Sequence, residues 1–415
     1  MKYNTFTLSS GLRVIHLPSS SPVVYCGFQI AAGTRNELLG EEGLAHFCEH
    51  MSFKGTARRS ALQIISSLEE LGGELNAYTN KESTVYYSAI QKDHLRTAVD
   101  VLADMVFHSE YPQQEIDREV EVVCDEIESY NDTPSELIFD DFENVIFENH
   151  PLGHNILGSA ARLHTFTTAD CKRFTERCYR PENMVFFAYG DVDFHRLLSW
   201  LEGYVATNGG AMSEGSTLCT GENHQEALLP VLQPGVITRN KKTHQSHVII
   251  GTRAYPYGHP RRMALFLLNN LLGGPGMNSR LNLSLRERNG LVYTVESSLV
   301  SYGDTGAWAV YFGCDQHDVN RCCRLVRREL DKLMSAPLTK TRLAIAKRQL
   351  KGQLAIACDN REQFALDFGK IFLFDGRERD LEELFCKIDN VTADDVQAVA
   401  NELFQQERLV TLIYK

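Results

Sequence analysis

The chain has 415 residues, 43% of them hydrophobic and 23% charged, with a formal net charge of −12. That length allows two or more domains with substantial cores, and the composition is that of an ordinary globular protein. The acidic balance excludes a nucleic-acid binder, which needs clustered Lys and Arg, and no apolar run reaches membrane-spanning length.

In chain order, the N-terminus, from Met1 to Thr7, has no apolar core of the kind a secretion signal carries. Eleven cysteines, an odd number without a C-x-x-C pair, do not read as a disulfide framework. Together these features predict a cytoplasmic protein in a reducing compartment. Residues 23–32 read as a strand. Next comes His46-Phe-Cys-Glu-His50, in an apolar setting of Leu44, Ala45, Phe47, Met51 and Phe53. On a helix, residues four apart lie about 40° apart, so both imidazoles can grip one metal ion. Glu49 sits close enough to face the metal's open position. Two imidazoles and a carboxylate able to take a proton from water are the parts of a zinc hydrolase, and the spacing is that of an inverted zincin. Cys48 points about 200° from His46 and reads as a small buried side chain.

A zinc site needs a third protein ligand. A strand pair at 73–79 and 83–91 is followed by amphipathic helices, of which the acidic one from Gln113 to about Tyr130 is the best source. Ile116, Val120, Val123 and Ile127 define its core stripe. Asp125, Glu121 and Glu128 fall away from that stripe, and Glu115 lies near the helix start, where it complements the dipole. Glu119 and Glu126, seven residues apart, flank the stripe together. Periodicity narrows the ligand to these two and does not choose between them.

The rest of the chain repeats the plan of the first half. Thr168-Ala-Asp leads through a helix to the strand Met184 to Tyr189, and Thr392-Ala-Asp leads likewise to Leu409 to Tyr414. Both threonines are predicted N-caps. The strand at 246–254 matches that at 23–32, and a strand pair at 292–301 and 306–313 matches that at 73–79 and 83–91. The expected fold is α+β, with two similar domains that each pair a mostly antiparallel sheet with a layer of helices. The predicted bounds are a metal-binding domain at 1–207, a Gly/Ser/Thr/Asn-rich linker at 208–232 and a second domain at 233–415. Where the first half has His46, the second reads Leu267-Leu-Asn-Asn-Leu-Leu-Gly273, so only the first half can hold the ion. A second constellation, from Arg286 to Tyr293, reads on pattern alone as a helix ending at Gly290 followed by a strand.

With Glu126 placed 76 residues after His50, the motif resembles that of the pitrilysin/insulinase family of zinc metallopeptidases, close to its short bacterial and mitochondrial-processing-type members. Gly73 to Thr79, Val85 to Tyr87 and Pro151 to Gly158 carry the same likeness, which spans most of the chain. The resemblance implies Glu126 as the metal ligand beside His46 and His50, with Glu119 as a supporting carboxylate behind a ligand. It implies Zn2+ as cofactor, though manganese or cobalt would also suit such donors. It further implies substrate contacts at Asn76 and Ala77, and an Arg–Tyr pair near the substrate at Arg286 and Tyr293, with Arg288 the weaker alternative. The expected activity is a zinc endopeptidase acting on peptides or unfolded polypeptides in a clamshell chamber, with Glu49 as general base. The expected partner is a second copy, a homodimer completing the active site. The rival expectation is a non-catalytic or partner-dependent subunit of a processing peptidase or assembly complex.

Overall fold

The computed structural model describes residues 2–206 and 229–415; the predicted linker falls largely outside them. The described residues form two compact units. The first holds a six-stranded sheet in the order β1-β2-β6-β3-β5-β4, built from β1 (Asn4–Thr7), β2 (Arg13–Pro18), β3 (Val23–Ile30), β4 (Glu74–Thr79), β5 (Thr84–Gln91) and β6 (Met184–Gly190). The second holds a five-stranded sheet in the order β7-β11-β8-β10-β9, built from β7 (Gly235–Arg239), β8 (Ser246–Ala254), β9 (Val292–Ser301), β10 (Gly306–Cys314) and β11 (Val410–Tyr414). In each sheet one pair is parallel, β2 with β6 and β7 with β11, and the other pairs are antiparallel. Leaving out β1, the two strand orders are the same, so the fold is α+β and its plan is repeated.

By contact, the units are not the two halves of the chain in order and so do not coincide with the expected bounds 1–207 and 233–415. The first unit comprises Met1–Glu128, Cys358–Arg379 and the described part of His154–Ala227; the second comprises Ser129–Gly153, Asp380–Lys415 and the described part of Leu228–Ala357. The cause lies in the strands. Side chains alternate between the faces of a strand. On β6, Met184, Phe186 and Ala188 join the main core of the first unit, while Val185 and Phe187 face the other way. The helix Arg361–Asp375 covers that second face with Phe364, Ala365 and Phe368. Likewise Ile249, Val410, Leu412 and Tyr414 form the second face of the other sheet, covered by Leu137, Ile138, Phe142 and Ile146 of the helix Pro134–Ile146. Each fully buried aromatic contributes about 1.5–3 kcal/mol of burial. Strands apolar on both faces require a covering helix on each, and every unit takes one from the other half of the sequence.

One predicted cap also moves. Thr392 caps the helix Ala393–Leu403 as expected, paired with Asp395 three residues on. In the first unit the cap of the helix Thr168–Cys178 is Thr167, not Thr168. The capping box needs an acceptor three residues after the cap, and Asp170 stands in that relation to Thr167.

Candidate metal centre

The motif occupies the helix Leu44–Met51, which is buried on nearly every side. It starts at Gly43, whose φ of +95° suits glycine, and a side chain there would press within 2.8 Å of the Gly158 backbone. The helix has no local capping side chain. Instead the buried Glu37 carboxylate accepts from the backbone N–H of Gly43 at 3.0 Å and of Ala45 at 2.7 Å, and its Oε2 pairs with His154 Nε2 at 2.8 Å. An acid at a helix N-terminus satisfies orphan N–H groups and the dipole together. The family-like stretch from Pro151 to Gly158 therefore seats the start of the motif helix.

His46 and His50 face each other with ring centroids 4.6 Å apart. Glu126, on the helix Gln113–Asn131, brings its Oε2 to 3.9 Å from His46 Nε2 and 3.5 Å from His50 Nε2. These atoms all lie within 4.8 Å of one another, as donors to a metal must. Tetrahedral bonds of about 2.0–2.1 Å would set such atoms about 3.3 Å apart, so the arrangement fits zinc with little adjustment. The state of the donors fits as well. Burial first, and then the neighbouring His50, push His46 down to about 3, leaving the neutral imidazole that a metal takes.

Glu119, two turns before Glu126, is 5% exposed and pairs through Oε1 with His50 Nδ1 at 3.0 Å and through Oε2 with Lys54 Nζ at 2.5 Å. Burial opposes its charge, but the bonds to His50 and Lys54 hold its carboxyl below the usual range. A carboxylate on Nδ1 fixes the proton there and turns the Nε2 lone pair toward the centre. For His50 itself burial favours the neutral ring, while Glu119 and then the charges of Glu49 and Glu126 raise its pKa overall.

Glu49 lies on the same helix, buried, and accepts a hydrogen bond from Thr79 Oγ1 at 2.5 Å. Burial pushes its carboxyl up to about 7, against the lowering effect of Thr79 and His50. Thr79 ends β4, the edge strand of its sheet. Asn76 and Ala77 lie on that strand, with Asn76 exposed and Ala77 partly buried against the core. Thr79, Lys54, Glu37 and His154 escaped the sequence reading. Thr79 could have been found from strand alternation beside Glu49, whereas no local spacing ties Glu37 or Lys54 to the motif.

Arg286 and Tyr293 lie in the second unit. The Arg286 guanidinium stands 5.4 Å from the centre of the Tyr293 ring, and both line a cavity of about 620 Å³. Tyr293, near the start of β9, is 82% exposed. The turn before it is π-helical from Asn282 to Glu287 and closes with Gly290 N–H donating to Arg286 O at 2.8 Å. No helix among the described residues is long and apolar enough to cross a membrane.

Residues 13–160 match the family model described as insulinase (peptidase family M16), and residues 165–350 match that described as peptidase M16 inactive domain. An "uncharacterized zinc protease", YmxG of Bacillus subtilis, is 32% identical over 98% of this chain and 97% of its own length. An "uncharacterized zinc protease" of Rickettsia felis is 31% identical over 97% of this chain and 95% of its own length. Among solved structures, a protease from Helicobacter pylori superposes with a TM-score of 0.88 at 22% identity, covering 100% of this chain and 99% of that one. A structure from Pseudomonas fluorescens described as a peptidase M16 inactive domain superposes at 0.89 with 19% identity, covering 100% and 98%. These two likenesses concern the fold.

Proposed function

The chain belongs to the insulinase family, peptidase family M16, and from that footing we propose that it is a zinc endopeptidase in which His46, His50 and Glu126 hold the ion and Glu49 is the general base. The observation that carries this reading is the convergence of the His46, His50 and Glu126 donor atoms beside a buried Glu49 carboxyl on the same helix. When bound, zinc supplies a Lewis acid that makes water nucleophilic near neutral pH. Glu49 takes the proton from the attacking water and returns it to the leaving amine, a shuttle suited to a carboxyl raised by burial. Thr79 holds one Glu49 oxygen and leaves the other for this task. Glu119 acts as a positioning residue, setting the His50 ring.

An extended peptide adds to the free edge of β4, with Asn76 and Ala77 as contacts, so capture works through the backbone and favours unfolded polypeptides. Arg286 and Tyr293 hold the substrate carbonyl and donate to the developing oxyanion. They come from a second copy of the chain in a homodimer whose clamshell encloses the peptide. The compartment is cytoplasmic, a reading supported by the ten free cysteines among the described residues.

The test is Glu49→Gln. It is expected to retain zinc by metal analysis and to lose about 10²–10⁴-fold in hydrolysis of a quenched peptide; unchanged hydrolysis removes Glu49 from the mechanism. Mixing Glu49→Gln with Tyr293→Phe protein is expected to restore part of the activity through mixed dimers. An active enzyme that stays monomeric in solution would refute the dimer. A second reading, a non-catalytic or partner-dependent subunit, draws on the inactive-domain match over 165–350. It requires zinc-loaded wild type alone to be inert, with activity appearing only on adding another chain.

A further inference from the structure

The second unit carries a cavity of about 370 Å³ whose chemistry runs against the acidic character of the chain. Its wall presents Arg280, Arg288, Arg342 and Lys332 against a single carboxylate, Glu329. Glu329 is 5% exposed and already accepts from Lys332 Nζ at 2.6 Å. Among the described residues, none of the three guanidinium groups makes a side-chain hydrogen bond or ion pair. The wall is therefore left with three positive charges in excess. Burial first, and repulsion from Arg342 last, push the Arg280 guanidinium below its usual range, with Glu329 acting in the opposite sense.

Two polar atoms on residues of this wall are buried with no hydrogen-bond partner in the protein. Arg280 Nη1 is buried and unpaired, and so is Ser279 Oγ, on a residue only 4% exposed. Leaving such groups unmatched costs stability, more for a charged donor, so a site of this kind calls for an acceptor from outside the chain.

We propose that this cavity is a binding site for a small multivalent oxyanion of the phosphate class. A monocarboxylate would offset one of the excess charges and offer two oxygens. A phosphate dianion offsets up to two and offers oxygens to several guanidinium forks and the serine hydroxyl at once. Ser279 and Asn270 also line the neighbouring cavity that contains Arg286 and Tyr293. The π-helical turn contributes Leu283 to one cavity and Arg286 to the other, so an anion held here shares a wall with the Arg–Tyr pair.

The experiment is calorimetric titration of the intact 415-residue chain with inorganic phosphate, pyrophosphate and acetate at constant ionic strength. Saturable binding of the phosphates is expected, with acetate much weaker. Arg280→Gln and Arg342→Gln should each weaken it by roughly tenfold or more, the loss of one charge-assisted bond. Arg324→Gln, an exposed arginine in the same unit, should leave it unchanged. His46→Ala should also leave it unchanged, which separates this site from any phosphate bound at the metal donors. Should Arg280→Gln fail to fold by circular dichroism, Arg342→Gln and Arg288→Gln carry the result. The proposal is overturned by the absence of saturable phosphate binding, by acetate binding as tightly, or by binding that survives the cavity variants.

Discussion

The motif helix Leu44–Met51 and the helix Arg262–Gly273 occupy corresponding places in the two repeats, yet they treat their polar residues in opposite ways. In the second unit Asn269 is fully used: Nδ2 donates to Ser297 O at 3.1 Å, Oδ1 accepts from Trp308 Nε1 at 3.1 Å, and its backbone carbonyl accepts from Ser297 Oγ at 2.8 Å. Its polarity ties the helix to β9 and β10. In the first unit Glu49 makes one side-chain bond, to Thr79 at the end of β4, and His46 Nδ1 is buried without a partner. One helix spends its hydrogen bonds on the fold, while the other keeps acceptors and lone pairs in reserve. A repeated scaffold can thus satisfy its buried polarity in one copy and leave it open in the other, because a few side chains decide whether that polarity is matched internally.

Three substitutions break or sharpen this contrast. The largest effect is expected from His46→Ala, which should abolish stoichiometric zinc in metal analysis and, with it, all chelator-sensitive peptidase activity. Retention of one zinc per chain would show that the ion is held elsewhere. Next, Glu119→Gln should keep the fold but weaken zinc affinity by about 10–100-fold in competition with a chelator. An unchanged affinity would assign Glu119 to its Lys54 pairing alone. The smallest is Asn269→Ala in the second unit. It should cost about 1–3 kcal/mol in denaturant unfolding by leaving the buried Trp308 Nε1 without its acceptor, while zinc content stays the same. A loss of zinc there would mean that the copies are not independent.

The pairing of His46 with His50 and the place of Glu49 were legible in the sequence, because all three lie on one helix where spacing dictates geometry. The repeat was legible too, since strand alternation and capping residues are local signals that recur in the same order in both halves, although one of the two caps lay a residue away from the predicted one. Periodicity along the acidic helix reduced the candidate third donor to Glu119 or Glu126, and no local rule goes further. Tertiary packing separates them, setting Glu126 on the Nε2 side of the imidazoles and Glu119 behind His50 on its Nδ1. Packing also decided which segments cover the second faces of the sheets, drawing Pro134–Ile146 and Arg361–Asp375 each into the unit that the rest of its half of the chain does not build. An amphipathic pattern states that a helix must bury one face; it does not state against which sheet, because burial of apolar area carries no address.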